Sequence, residues 1–322
     1  MRCASVTLVL AALMVLASAC LAAAPADQPP PDGPLRIEEP PEKPAAKPAD
    51  TPKTPEPPRK PASPGAVARA EKQIAELDER LMAVLGDEMD VQVAVNSAEM
   101  KARETVKDPA AASDELSKGH LTPQLREYGR IMRACVQQLA AIEAKYAAIL
   151  GSVRALQRDS AAADFQDRLK ILEGRVGPKH RTSQIKVADF LVKAGDTKAA
   201  IFAYNAVYQS LGPKDDTERK SVKEKIASTY EKGGDFKNAL SNYKTVYESI
   251  PDEHRYDDLN LMLRIASLYE RTGDFANALQ MYQDVQKHLR AGQTVTGLKE
   301  AIERCEDKVN SGARRTATPK TR

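Results

Sequence analysis

One segment recurs three times in this chain at a constant spacing of 39 residues. The copies read VADFLVKAGDTKAAIFAYNAVY from Val187, IASTYEKGGDFKNALSNYKTVY from Ile226 and IASLYERTGDFANALQMYQDVQ from Ile265. Ala188, Ala227 and Ala266 fall in register, as do Gly195, Gly234 and Gly273, each followed by an aspartate. A fixed period of this size comes from helical units that cannot bury an apolar face alone and stack on their neighbours to do so. Such stacks present extended surfaces, which favours binding over chemistry.

The recurring positions have physical reasons. The alanines stand where two helices approach closely and a larger side chain would overpack. The glycines can take the left-handed conformation that ends a helix. Asp196, Asp235 and Asp274 each offer a side-chain oxygen to the start of the next helix. Tyr204, Tyr243 and Tyr282 fill the space between units, and Pro251 closes the second. A small residue, a Gly-Asp turn, an early Ala in the second helix and an aromatic four residues on together resemble the tetratricopeptide repeat, over Thr182 to Val309. Unit one departs from the pattern, with Leu191 and Thr197 where the other units have Tyr and Phe. The family period is about 34. The extra residues fall around Pro213 to Asp216 and Asp252 to Arg255, as longer helices or loops.

The resemblance implies an α-solenoid of three repeats, closed by a capping helix bearing Leu298, Ile302, Cys305 and Val309. It also implies a groove lined by the first helix of each unit. By register the groove residues are Ile185, Asp189, Val192 and Lys193, then Glu224, Ser228, Glu231 and Lys232, then Leu263, Ser267, Glu270 and Arg271. Chaperone-binding members hold a peptide carboxylate with Lys and Asn at the first two such positions. Here those are Ile185 and Asp189, which disfavours that ligand. The mixed, slightly acidic lining suits a protein segment with apolar anchors and basic residues, or else is a solvated helix face.

Ahead of the repeats, Met1-Arg2 and an apolar run from Val6 to Leu16 form a secretory signal, too short to span a membrane. Residues 16–20, Leu-Ala-Ser-Ala-Cys, look like a lipobox with Cys20 as the lipidated residue. The alternative is ordinary cleavage at an A-x-A site. Residues 25–65 carry 15 of the 21 prolines and only Leu35 and Ile37 as large apolar residues. This composition predicts a disordered tether.

Two long helices follow. One opens at Ser63-Pro64, a cap and N1 pair, and carries Val67, Ala70, Ile74, Leu77, Leu81 and Val84. Its register weakens at Glu88 and resumes at Val91, Val95 and Ala98. The other opens at Thr122-Pro123 and carries Leu125, Tyr128, Met132, Cys135, Leu139, Ile142, Tyr146, Ile149, Val153 and Leu156. That heptad series predicts a coiled-coil seam, closed by the first helix or by a second copy of the chain. Asp108 to Leu121 reads as a turn, and Ala161 to Arg175 as a third helix that stops before Gly177-Pro178.

The predicted fold is all-α: a long helical hairpin or coiled coil, then a tetratricopeptide-like α-solenoid of three repeats plus a capping helix. Its divisions are a signal peptide (1–19), a Pro-rich disordered linker (20–65), the hairpin (66–160), a connecting helix (161–181), the repeats with their cap (182–310) and a basic disordered tail (311–322).

Catalytic signatures are missing from the sequence. His120, His180, His254 and His288 have no partner at metal spacing and read as solvated surface residues. There is no P-loop, G-x-G-x-x-G or G-x-S-x-G. Net charge is only +3, which gives no bulk attraction to nucleic acid. Cys135 and Cys305 sit on apolar stripes and read as buried thiols rather than a disulfide. The expectation is a non-enzymatic exported adaptor with no cofactor and no metal. It faces the periplasm on a lipid anchor or is soluble and secreted, and it binds a protein partner of the cell envelope, with self-association through the coiled coil. Alternatives are a structural spacer and an accessory subunit of an envelope enzyme. In outline the chain is similar to bacterial periplasmic proteins that combine a coiled coil, a Pro-rich linker and C-terminal tetratricopeptide repeats, though here the linker comes first.

Overall fold

The computed structural model describes residues 62–290 and 293–317. The signal segment, Cys20 and nearly all of the Pro-rich linker lie outside the described residues, as does the end of the basic tail. The described part is all-helical. In chain order it has α1 (Pro64–Thr105), α2 (Pro109–Ser117), α3 (Pro123–Arg158), a short 3-10 segment (Ser160–Phe165) and α4 (Gln166–Lys193). Then come α5 (Thr197–Ser210), α6 (Asp216–Lys232), α7 (Phe236–Glu248), α8 (Leu259–Thr272), α9 (Phe275–His288) and α10 (Leu298–Ala317).

The two seams of the first helices face each other. On α1, Ala70, Ile74, Leu77, Leu81, Val84, Val95 and Ala102 are buried. On α3 every seam residue from Tyr128 to Leu156 is buried, and Leu125 is half-buried. Thr122 caps α3 by accepting from the Leu125 N–H at 3.3 Å. Ser63 makes no side-chain cap on α1, contrary to expectation.

A hairpin of two helices is not what covers α3. The expected break at Gly177-Pro178 does not occur, and α4 runs unbroken from 166 to 193 with Pro178 inside it. An interior proline costs about 3 kcal/mol, through a lost N–H and a clash with the carbonyl four residues back. Here the residue before Pro178 is Gly177, which brings no Cβ against the ring. The first half of α4 buries Leu169, Leu172 and Val176 beside α1 and α3, and burying each such side chain returns about 2 kcal/mol. The connecting helix and the first helix of unit one are therefore one element. The α3 seam is closed by α1 and α4 of the same chain, so the unmatched surface expected to recruit a second copy there is absent.

The weak point in the α1 register is a polar layer. Glu88 stands at the seam position and accepts from the Tyr146 hydroxyl at 2.8 Å, Lys179 Nζ at 3.2 Å and Lys186 Nζ at 3.3 Å. Burial pushes the Glu88 carboxyl up, but these hydrogen bonds and the lysine charges outweigh it and hold it below the usual carboxylate range. In the same layer His180 meets Glu143 at 2.7 Å and is largely buried, so it is not the solvated residue expected.

The expected turn at 108–121 contains a helix. Asp108 caps α2 through Oδ1, accepting from Ala110 and Ala111 N–H at 2.9 and 3.2 Å, and Gly119 past its end has φ 85°. This helix lies across the ends of two others. Ser113 Oγ donates to the Val192 carbonyl at 2.7 Å and Ser117 Oγ to the Lys232 carbonyl at 3.1 Å. Those carbonyls end α4 and α6, where intrahelical donors run out. Asp114 accepts from Lys232 Nζ at 3.0 Å.

From α4 onward each helix packs on the next, as a solenoid requires. Gly195, Gly234 and Gly273 have φ of 82°, 80° and 86°. Asp196, Asp235 and Asp274 accept from the N–H of Ala199, Asn238 and Asn277 at 3.1, 3.1 and 3.3 Å. Ala188, Ala227 and Ala266 are fully buried. The extra residues form the loop after α5 and a 3-10 turn at Asp252–His254. Leu298, Ile302 and Cys305 of α10 cover the last unit, and Val309 is half-buried. The helix continues to Ala317, into the stretch expected to be disordered. Cys135 and Cys305 are buried free thiols.

Three stability outcomes follow from this packing. Glu88→Ala strands the Tyr146 hydroxyl and should cost about 2 kcal/mol in urea denaturation at pH 7. Because the Glu88 carboxyl is depressed in the folded state, its contribution is full above its ordinary value of 4.5 and fades as pH falls through the lower folded value. The gap between wild type and variant should therefore narrow below about pH 4.5, and a gap that widens with acid contradicts the pairing. Ala227→Leu and Ala266→Leu should each lose about 1–3 kcal/mol by overpacking, read as a lower thermal midpoint. Gly195→Ala and Gly234→Ala both strain a left-handed residue, at about 1–2 kcal/mol. At Gly195, however, a Cβ would also lie 2.6 Å from the Leu116 Cβ, while at Gly234 the space is open. Gly195→Ala should be clearly the more damaging, and equal losses would mean α2 is not seated there.

Candidate functional site

The first helices of the three units, the end of α4 with α6 and α8, line one face, and α2 closes one end of it. Three clefts run along this face. One of about 490 Å³ lies between α1, α2, α4 and α6 and includes Asp189, Val192, Lys193, Ser228 and Lys232. A second, of about 380 Å³, lies between α6 and α8, with Glu224, Lys225, Ser228, Tyr243, Asp258, Leu261 and Arg264. The third, of about 420 Å³, is bounded by Asp114 and Ser117 of α2 and by Ser228, Glu231, Lys232, Phe236, Arg264 and Arg271. Ser228 borders all three, so they form one trough.

Eight of the twelve residues placed by register line the trough: Asp189, Val192, Lys193, Glu224, Ser228, Glu231, Lys232 and Arg271. The other four do not. Ile185 packs on the core of unit one and Leu263 on that of unit three. Glu270 turns to the capping helix, where Arg304 Nε donates to it at 3.1 Å. Ser267 is half-buried and borders none of the three clefts. Register missed Lys225, Tyr243, Asp258 and Arg264. Lys225 is the neighbour of Glu224 on α6 and Tyr243 belongs to the second helix of the same unit, while Asp258 and Arg264 come from the next unit, brought in by the stacking of α8 on α6 and α7.

Most of the charge in the trough is already spent. Asp189 accepts from Lys225 Nζ at 2.6 Å and from the Tyr204 hydroxyl. Lys193 donates to Glu99 of α1 at 2.8 Å, and Lys232 to Asp114. Arg264 donates to the Tyr243 hydroxyl at 2.9 Å and stands 3.7 Å from Glu231. The tyrosines between units are held protonated. Burial and then the Asp189 charge push Tyr204 far up, and burial with Glu270 pushes Tyr282 up to about 12. The acidic character read from the sequence is thus largely cancelled within the chain.

Three charged residues of the trough have no ion pair among the described residues; one is Asp258, which accepts from the Leu261 N–H at 3.0 Å as the cap of α8. Arg271 is exposed and lies over the Phe236 ring, 4.8 Å from its centroid. Glu224 is half-buried, and among the described residues no cation pairs with it within 4.0 Å. Burial raises its carboxyl above the usual range and Asp258 adds to this, while Lys220 and Arg264 oppose it only in part. A carboxylate in that setting gains from an incoming cation. The described residues gather no three His, Cys, Asp or Glu side chains as a metal would require, and no described helix is long and apolar enough to cross a membrane.

Residues 261–288, covering nearly all of α8 and α9, match the model of the tetratricopeptide repeat. No curated protein matches the chain. Among solved structures it is similar to the tetratricopeptide domain of P58(IPK), at 16% identity, with 75% of this chain and 67% of that one covered and a TM-score of 0.34. It is also similar to BtubC (BKLC) from P. vanneervenii, at 16% identity over 74% of this chain and 95% of that one, with a TM-score of 0.30. The matched unit has two further copies at the same period, and the left-handed glycine and the capping aspartate are common to all three. The C-terminal part of the chain is a solenoid of three tetratricopeptide-like helical units.

Proposed function

We propose that this protein is a non-enzymatic adaptor of the cell envelope that holds a protein segment in the trough across α4, α6 and α8. Repeats of this family are protein-interaction modules, and the trough is the extended concave surface such modules use. The observation that carries the reading is Glu224: a half-buried carboxyl without a cation, in a cleft walled by Tyr243 and Leu261. The segment it fits is an extended or helical stretch with one Lys or Arg to meet Glu224 and apolar side chains to either side. Ile185 and Asp189 offer nothing to a peptide carboxylate, because one packs on the core and the other is neutralised by Lys225.

The proposal extends to location. Residues 1–19 direct export, Cys20 carries lipid, and the Pro-rich segment tethers the helical body to the membrane. Two or three acyl chains give stable anchoring where one is marginal. Mass spectrometry of the mature N-terminus tests this part, and an unmodified terminus downstream of Cys20 removes it.

The trough is tested separately, by crosslinking capture from envelope extract with the full chain as bait. Ser228→Arg places a long charged side chain where the three clefts meet, at a half-buried site outside the apolar core. It should abolish capture of the specific partner without lowering the thermal midpoint. Glu224→Gln removes the charge alone and should weaken capture several-fold. A partner held equally by all three baits binds elsewhere, and the trough reading fails.

A further inference from the structure

The outward face of α1 carries a stripe of exposed apolar side chains. Met82, Met89, Val93 and Met100 are 61%, 72%, 71% and 68% exposed. At 100° per residue these four fall within an arc of about 40°, along about 27 Å of helix. Gly86 lies in the same stripe, and a Cβ built there meets nothing within 4 Å. The inward seam of α1 is fully used by α3 and α4, so this second face has no partner among the described residues.

The order of the stripe is what identifies its occupant. Its spacings are seven, four and seven, the same read in either direction about residue 91. A surface that reads the same both ways is what a two-fold, isologous interface needs. Two antiparallel α1 helices crossing at residue 91 set Met82 against Met100 of the other copy and Met89 against Val93. Gly86 then faces Asn96, where the missing side chain lets the backbones approach. The segment preceding α1 is a poor competitor, since residues 25–65 offer only Leu35 and Ile37 as large apolar groups.

We infer that the chain self-associates as an antiparallel dimer through the Met82–Met100 face of α1. This is independent of the trough, and it uses the opposite face of α1 from the one that packs on α3. The four side chains expose on the order of 500 Å² per chain, within the range of a monomer's largest apolar patch and below the ~800 Å² per partner of a standard stable interface. The association is therefore weak. The flanks do not specify it: Asp90 sits near its own counterpart across the axis and Glu79 near Glu104, so added salt should favour the dimer by screening.

The test uses residues 58–322, a single compact unit that holds all the described cores. Sedimentation equilibrium should show the mass rising from one chain toward two as the concentration is raised from about 1 to about 300 μM, the span of a weak dimer. Met89→Asp with Val93→Asp should hold the mass at one chain throughout, with the thermal midpoint unchanged because both residues are exposed. Register is read by disulfide trapping. Chains with Met82→Cys alone, or Met100→Cys alone, should not crosslink to themselves, whereas an equimolar mixture should. The native Cys135 and Cys305 are buried and do not interfere. A one-chain mass at every concentration overturns the dimer, as does a dimer that survives the double aspartate change. Self-crosslinking of the Met82→Cys chain overturns the antiparallel register.

Discussion

The passage of α4 through Gly177-Pro178 without a break is the constraint on which the remaining architecture depends. Its first half closes the seam of α3, and its second half is the first helix of the repeat stack. The bundle and the solenoid are therefore joined by a continuous helix and not by a loop. That continuity is held by packing on both sides of the proline: Leu169, Leu172 and Val176 before it, Ala188 and Phe190 after it. The local preference of Gly and Pro for a break is overridden because a break would uncover the apolar side of α3.

Glu88 shows how the same bundle tolerates polarity inside. An apolar residue there would continue the heptad series and bury more surface. Glu88 instead ties three helices together at one level, through Tyr146 on α3 and Lys179 and Lys186 on α4. The layer lies where α4 changes from bundle helix to repeat helix. Helices joined by apolar contacts alone can slide by a turn at modest cost. A carboxylate with three donors has one satisfied position, so the layer fixes the height of α4 against α1. It thereby fixes where the first repeat starts.

The sequence made the repeats, their Gly-Asp turns, both seams and the capping helix legible, because each rests on local geometry repeated often enough to count. It misled where one signal has two meanings. Asp108-Pro109 and Gly119 punctuate a turn equally well as they mark the two ends of a nine-residue helix. Gly177-Pro178 reads as a stop unless the burial of α3 is already known. The trough was half legible for a related reason. Register within one unit finds the residues of its own first helix, such as Glu224 and Ser228. It does not find Tyr243, which reaches the same cleft from the second helix of that unit, or Arg264, which reaches it from the next, nor does it show that Lys225 has already neutralised Asp189.

That internal neutralisation changes what the face can recognise. A row of free carboxylates would attract any basic chain, with an affinity that falls steeply as salt rises. With Asp189, Glu231 and Glu270 tied to Lys225, Arg264 and Arg304, a generic electrostatic surface is lost. What is left is the half-buried carboxyl of Glu224 beside Asp258, whose carboxylate caps α8, together with aromatic and aliphatic walls and α2 at one end. On the proposed reading, discrimination would come from the placement of a cation relative to apolar anchors, since a misplaced charge would be desolvated without a partner. The end wall matters as much as the charge. Ser113 and Ser117 hold α2 to the carbonyl ends of α4 and α6, so moving α2 away would uncover those carbonyls.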